Sequence, residues 1–263
     1  MKVLAIIAAR NEGRYIDRCC RHLVEQGVDF AVIDNESTDD TRARAERFRG
    51  RGLVHVETHP YTGFYDWIGL LRRKEEIARQ LDAEWYMHLD ADEIPEPPVR
   101  GERLLERIRE VDAQGCSAVN FDEFVFVPTS ADERHEGTDY VAGMRKYFFF
   151  EPWPQRLVRL WKKAADIDLS SSGGHDARFE GRSLYPVNFA LRHYIALSES
   201  HLRRKYTSER TYSAEEVARG WHGWRATFAS AAVRLPEPSE LADTTTDGGW
   251  DRSRPATRHL FIR

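Results

Sequence analysis

Apolar and polar positions follow two alternating rhythms over the first hundred residues of the chain. Val3 to Ala9 is an unbroken apolar run, as in a strand covered on both faces of a parallel sheet. The spacing then turns helical, with Ile16, Cys19 or Cys20, Leu23 and Val24 on one side and Gly27 as a stop. Phe30 to Ile33 predicts a second short strand. It runs into the polar stretch from Asp34 to Thr41, where Ser37 or Thr38 as N-cap and acidic residues in the first turn predict a helix ending near Gly50. Leu53 to Val56 predicts a third strand. Tyr65 to Leu81 reads as an amphipathic helix with Ile68, Leu71, Ile77 and Leu81 on its apolar side and Arg72, Arg73 and Lys74 along it. Trp85 to Leu89, short and bulky, predicts a buried fourth strand.

Strand and helix alternating in this way predict the α/β class, a right-handed and mostly parallel sheet flanked by helices. Its consequence is geometric. The polar groups after Ala9, Ile33 and Leu89 emerge along one edge, where open α/β sheets bind ligands. Asp90 and Asp92 are two residues apart and share a side if the chain stays extended. Paired carboxylates suit a hard divalent cation, Mg²⁺ or Mn²⁺, which takes its other ligands from water and substrate phosphates. Each cluster alone has a plain explanation: Asp-x-Asp recurs in surface turns, Asn11 and Glu12 can start a helix, and residues 34–41 can cap one. Three clusters on one edge favour a shared nucleotide pocket, with a metal and a cation from the 72–74 triplet balancing a diphosphate.

The second half is less regular. After Pro95-Glu96-Pro97-Pro98, a helix over Glu102 to Val111 turns Leu104, Leu105 and Ile108 inward, and Ala118 to Val127 reads as a strand. Its Asp122 and Glu123 are candidate catalytic groups, although carboxylates on a strand's outer face more often only meet water. Residues 128–146 predict a mobile loop. Tyr147 to Phe150 with Trp153 suits sugar stacking, with core packing the commoner use of such residues. Gln155 to Trp161 predicts a strand, Ser170 to Asp176 a flexible turn, and Phe189 to Tyr194 an apolar run ending in His193-Tyr194. Ala214 to Ala232 predicts a helix whose Trp221, Trp224 and Phe228 would pack across the domain or against a second subunit, as in a homodimer. The tail from Glu237 is expected to be loosely held.

Composition narrows the function class. A length of 263 residues suits one large α/β domain with an appendage. Net charge −4, with Arg203-Arg204-Lys205 the only dense basic stretch, gives no sign of a nucleic-acid partner. The apolar start is too short to span a bilayer and lacks signal-peptide flanks. An odd number of cysteines, Cys19, Cys20 and Cys116, without metal-type spacing is expected of a cytoplasmic protein.

The segments Ile7-Ala8-Ala9-Arg10-Asn11-Glu12, Val32 to Thr41 and Leu89-Asp90-Ala91-Asp92-Glu93 together resemble the nucleotide-sugar half of family-2 glycosyltransferases of the GT-A fold. The resemblance implies that Ala8, Arg10 and Glu12 line the base and ribose pocket, that Asp34 holds the base and that Arg73 faces the nucleotide. It implies that Asp90, with Ala91 beside it, touches ribose or metal, and that Asp92 binds the metal directly. Leu191 to Tyr194, with Ser198, His201, Arg204-Lys205, Arg210 and Gly220-Trp221-His222, resembles the C-terminal part of a bacterial family-2-like group. That likeness gives His193 a metal or diphosphate role and lets Arg204 and Lys205 hold the leaving phosphate.

The Glu-Asp pair that supplies the base in many such enzymes is not found. His175-Asp176 lies at about the expected distance beyond Asp92, which makes Asp176 the expected general base and His175 its rival. The implied layout is a donor half over 1–100, an acceptor half over 101–198 and a helical extension over 199–263. The implied activity is metal-dependent transfer of a sugar from a nucleoside-diphosphate sugar to a small-molecule or glycan acceptor, with inversion. A sugar-phosphate nucleotidyltransferase is the first rival, though Ala8 to Gly13 is not the Gly-rich loop it would carry. A non-catalytic nucleotide-sugar or glycan-binding protein is the second.

Overall fold

A computed structural model describes residues 1–152, 157–219, 232–244 and 249–262. Trp153 and the Trp221, Trp224 and Phe228 stripe lie outside the described residues. The chain forms two units, each discontinuous in sequence. The first comprises Met1–Tyr61, Trp67–Phe121 and Arg156–Leu191; the second comprises Thr62–Asp66, Asp122–Gln155 and Arg192–Arg263.

The first unit opens with β1 (Val3–Ala9), α1 (Ile16–Glu25), β2 (Asp29–Asp34), α2 (Thr41–Glu46), β3 (Leu53–Thr58), α3 (Trp67–Gln80) and β4 (Trp85–Leu89). Strands β1 and β2, β1 and β4, and β2 and β3 pair in parallel, giving the order β4-β1-β2-β3. The unbroken apolar runs explain the arrangement. Every residue of β4 and all of β1 except Ala8 is buried, as strands need when helices cover both faces. Gly27 leaves α1 through a left-handed turn with φ +73°, the role its place in the sequence predicts.

The chain continues through β5 (Glu93–Glu96), α4 (Leu104–Ala113), β6 (Ala118–Phe126), α5 (Tyr140–Gly143), β7 (Lys146–Phe150), β8 (Val158–Lys162) and β9 (Phe189–Tyr194). In the first unit β8 joins β4 antiparallel, and the opening residues of β6 join β8 antiparallel. The α/β expectation therefore holds, with four parallel strands running out to the β3 edge and antiparallel strands added beyond β4.

The second unit takes the later part of β6, which pairs antiparallel with β7; β7 in turn pairs with β10 (Ala242–Asp243). Its helices are α5, α6 (Glu199–Thr207) and α7 (Ala214–Arg219). Phe126 stacks on Tyr194 at 4.7 Å and Phe124 on Trp250 at 4.2 Å. Tyr147, Phe148 and Phe149 are buried, so the aromatic run is core and not a sugar platform. The end of the chain differs from expectation. Val233, Leu241 and Phe261 join Val125, Phe148, Leu202 and Tyr206 in one apolar cluster, which anchors a tail that its Pro, Thr and Gly content suggested was loose. Among the described residues no helix is long and apolar enough to cross a membrane.

Candidate functional site

The loops leaving β1 and β2 are locked together at the carboxyl edge of the parallel strands. Ala9 is in register with Asp34, and the Asn35 amide donates to the Ala9 carbonyl at 2.9 Å. Asn11 adopts φ +55°, in the left-handed region that Asn tolerates better than most residues. Its amide donates to Ser37 Oγ at 3.0 Å and its Oδ1 accepts from the Thr38 amide at 2.8 Å. Ser37 and Thr38 are thus engaged in the joint, and the helix starts later than predicted, at Thr41. Asp39 makes the turn instead, accepting from the Thr41 amide at 2.9 Å and the Gly13 amide at 3.0 Å. Burial opposes ionisation of Asp39, but these hydrogen bonds outweigh it and hold its carboxyl below the usual range. A side chain on Gly13 would collide with Asp40 and lie 2.9 Å from Asp39 Oδ2.

Asp34 closes β2 almost fully buried, 3% exposed. Its Oδ2 accepts from the Ser37 amide at 3.3 Å, whereas Oδ1 is buried with no hydrogen-bond partner among the described residues. A buried carboxylate oxygen in that condition is costly and calls for an explanation, of which an absent ligand's N–H is one. Around it, Arg10 donates to the carbonyls of Asn35 at 2.6 Å and Glu36 at 2.5 Å, and lies 3.5 Å over the ring of Tyr61. Ala8 and Glu12 are half-buried, and the Glu12 carbonyl accepts from the Tyr15 and Ile16 amides at the entry to α1.

The Asp90 to Asp92 segment departs from the geometry expected of it. β4 ends at Leu89 and the chain turns, so strand alternation does not orient the two carboxylates. The turn is closed by the Glu93 amide, which donates to the Asp90 carbonyl at 3.2 Å, and by the Asp90 amide, which donates to Glu93 Oε2 at 2.9 Å. Ala91 and Asp92 are buried, while the Asp90 side chain is about one-third exposed.

Two buried cations flank Asp90: Lys74, one of the three basic residues expected to supply a cation, and Arg159, which was not singled out in the sequence. Lys74 Nζ lies 3.7 Å from Asp90 Oδ1, and Arg159 Nη1 lies 3.8 Å from Oδ2 and 2.6 Å from Glu93 Oε2. Lys74 also donates to His88 Nδ1 at 2.8 Å and to the Leu89 carbonyl at 3.0 Å. Burial pulls the Lys74 pKa down to about 8 against the opposing pull of Asp90. Burial, then the Lys74 charge, push His88 well below its ordinary value. His88 is therefore neutral, and because an ammonium only donates, its Nδ1 accepts and its proton sits on Nε2. The signal for Lys74 was present: Leu70, Leu71, Lys74, Ile77 and Ala78 are all buried at helical spacing, so the lysine falls within the apolar stripe.

Arg73 points to a different partner. Its guanidinium forks onto Glu57 of β3 at 2.6 and 2.7 Å and reaches Glu76 at 2.6 Å. Arg73's hydrogen bonds, foremost among the causes, carry the Glu57 pKa down to about 2, and Glu57 raises that of Arg73.

The turn from Ser170 to Asp176 is fixed on the same unit. Trp67 Nε1 donates to the Gly173 carbonyl at 2.9 Å, and Gly174, at φ +85°, sits so close that a Cβ would lie 2.9 Å from His88 Nε2. The Val158 amide donates to the His175 carbonyl at 3.0 Å, tying the turn to β8. Asp176 is buried and clamped, Oδ2 accepting from Arg178 at 3.2 Å and Oδ1 from Arg182 at 2.5 Å. Each of its oxygens thus accepts from one arginine. His175 beside it is exposed.

His193 belongs to the second unit, where its Nδ1 lies 2.6 Å from Glu123 Oε1. Such a carboxylate partner fixes an imidazole's tautomer and orientation. Asp122, also in that unit, accepts from Arg252 at 2.6 Å.

Among the described residues no three His, Cys, Asp or Glu side chains cluster as a metal cage. The oxygen chemistry of Asp92 and Asp90 fits Mg²⁺ or Mn²⁺ as an incomplete set, of the kind a substrate diphosphate and water complete.

The family model described as glycosyl transferase family 2 matches residues 4–165. A Rickettsia felis protein named as an uncharacterized glycosyltransferase is 24% identical over 225 residues, which is 82% of this chain and 69% of that protein. Among solved structures, S. aureus TarS aligns over 88% of this chain at 14% identity and a TM-score of 0.42. Glucosyl-3-phosphoglycerate synthase from Mycobacterium tuberculosis, in complex with Mn²⁺, UDP and phosphoglyceric acid, aligns over 47% of this chain at 19% identity and a TM-score of 0.31. The chain spans 41% of the first of these solved chains and 43% of the second.

Proposed function

The chain belongs to glycosyl transferase family 2, and we propose that it moves a sugar from a nucleoside-diphosphate sugar to the hydroxyl or amine of an acceptor. The observation that carries this reading is the buried Asp34 Oδ1, which has no hydrogen-bond partner among the described residues and closes β2 at the strand edge where three polar clusters were expected to meet. With Oδ2 engaged by Ser37, a single oxygen awaits a donor. A base with one imide N–H, as uracil has at N3, suits that better than guanine, whose adjacent N–H groups call for both oxygens.

In this reading Arg10, Ala8 and Glu12 border the base and ribose, and Arg73 supports the pocket through Glu57. Asp92, with Asp90, would hold Mn²⁺ or Mg²⁺, a role in which the ion offsets charge growing on the departing diphosphate. Lys74 and Arg159 hold the Asp90 carboxylate from both sides, so its orientation is set before donor arrives. His175 is the better candidate for the acceptor's proton, because Asp176 is occupied by two arginines. Inversion and the metal role of His193 belong to the same reading and rest on family likeness.

A panel of UDP-, GDP-, CDP- and ADP-sugars, assayed for hydrolysis and transfer with Mn²⁺ or Mg²⁺, tests it. UDP-sugars are expected to be the substrates, and Asp92→Ala to abolish metal-dependent turnover. Turnover of every donor unchanged in Asp92→Ala would remove the metal assignment, and no turnover of any donor by the native chain would remove the activity.

A further inference from the structure

A cation sits beside Asp34 and does not pair with it. Arg10 donates to the carbonyls of Asn35 and Glu36, the two residues that follow Asp34 in the chain. A guanidinium next to a buried carboxylate ordinarily closes on it, because a buried charge left unmatched is the costlier arrangement. Asp34 Oδ1 nevertheless has no hydrogen-bond partner, and Asp34 forms no ion pair, among the described residues.

The restraint on Arg10 has two parts. Both of its side-chain hydrogen bonds leave from Nη1, so they fix one corner of the guanidinium and leave its plane free to swing about that corner. The Tyr61 ring removes that freedom, with the guanidinium carbon 3.5 Å from the ring centroid. The segment that carries the ring is itself held. The Tyr61 amide donates to Glu36 Oε2 at 2.9 Å, the Asn35 side-chain amide donates to the His59 and Pro60 carbonyls at 3.0 and 3.1 Å, and the His59 amide donates to the Asp34 carbonyl at 2.8 Å. Glu36 meets Arg10 with its carbonyl and Tyr61 with its carboxylate from φ +49°, a left-handed conformation that glutamate rarely adopts. Backbone strain of this kind persists where neighbours over-determine it, and it gathers at binding sites. Every residue of the brace belongs to the first unit.

We infer that Tyr61 is a positioning residue for donor selection: by holding Arg10 against its ring, it keeps the guanidinium off Asp34 Oδ1 and preserves that oxygen for an N–H of the donor's base. The role rests on the nucleotide-sugar reading of this strand edge. A base N–H is a neutral donor and competes poorly with a guanidinium for a carboxylate. Asp34 therefore reads the base only while the cation is restrained.

Two measurements test this role, one with UDP and one without. In calorimetric titration of the full chain with UDP, Tyr61→Ala should weaken binding roughly 3- to 30-fold, the range of a cation–π contact, while Tyr61→Phe, which keeps the ring, should stay within about twofold of native. The Tyr61→Ala change made in an Arg10→Met background should leave UDP affinity where Arg10→Met alone puts it, since Tyr61 acts through Arg10. A loss of equal size in both backgrounds would overturn the inference. Without UDP, Asp34→Asn should raise the melting temperature of the native chain and lower that of Tyr61→Ala, in which the released guanidinium has gained a carboxylate partner to lose. A rise of equal size in both chains would overturn it too. A native chain that does not bind UDP would strike the nucleotide-sugar reading, and the melting comparison would still decide whether Tyr61 restrains Arg10.

Discussion

Replacing Asp34 by Asn should move stability and donor affinity in opposite directions. The wild-type carboxylate is 3% exposed, and one of its oxygens is buried with no hydrogen-bond partner among the described residues. Leaving such a group unsatisfied costs about 1–3 kcal/mol, more for a charged one. An amide has nearly the same shape, keeps an oxygen for the Ser37 amide and carries no charge into the interior. The free protein should therefore gain about 1 kcal/mol or more, a rise of roughly 2–4 °C in melting temperature per kcal/mol for a domain of this size. With donor present the balance reverses. A hydrogen bond from the base to a charged oxygen is worth about 1.5–3 kcal/mol, so UDP affinity should fall roughly 10- to 150-fold. Thermal unfolding by circular dichroism and calorimetric titration with UDP measure the two effects. A variant that melts lower than the native chain, or one that binds UDP equally well, would refute the reasoning.

Four further outcomes follow from the same unit. Lys74 titrates near 8 in the folded chain and near 10.5 when unfolded, so the unfolded state binds more protons between those values and stability rises with pH across that window. The difference in urea unfolding free energy between native and Lys74→Met should shift in favour of the native chain by about 3 kcal/mol from pH 7 to above 10.5; a flat difference would mean that Lys74 is not the group involved. Arg159→Met strips the buried Glu93 of a 2.6 Å ion pair and should cost about 3–5 kcal/mol in chemical denaturation. Gly174→Ala adds a Cβ 2.9 Å from His88 Nε2 at a positive φ and should cost about 1–3 kcal/mol, readable as a lower melting temperature. His175→Ala should slow transfer roughly 10²- to 10⁴-fold with UDP binding intact, while Asp176→Asn should show its effect mainly as lost stability.

The donor-side framework was legible because its signals are local. Apolar runs located β1, β2 and β4, helical spacing located α1 and α3, and the strand ends marked Asp34 and Asp90. What escaped depended on neighbours distant in sequence. Ser37 and Thr38 have the chemistry of caps, but a better use for them was Asn11, 26 and 27 residues away. Arg159 reaches Glu93 through the antiparallel register of β8 on β4, which no local pattern encodes. Lys74 was legible in its burial stripe and obscured by its company: three consecutive basic residues suggest a solvated face, yet only one of them points inward. Asp176 stood at the expected distance along the chain, whereas the meeting of Arg178 and Arg182 on it depends on how the turn folds.

The contact between the Trp67 indole and the Gly173 carbonyl has a bearing on any attempt to redesign this protein. The turn that presents His175 is bolted to the same helix that carries Lys74, and it rests on the imidazole that accepts from that lysine. On the role proposed for His175, remodelling residues 170–176 to broaden acceptor choice would disturb the charge arrangement around Asp90 as well, and a library confined to that turn should recover variants with weakened UDP binding alongside any with new acceptors.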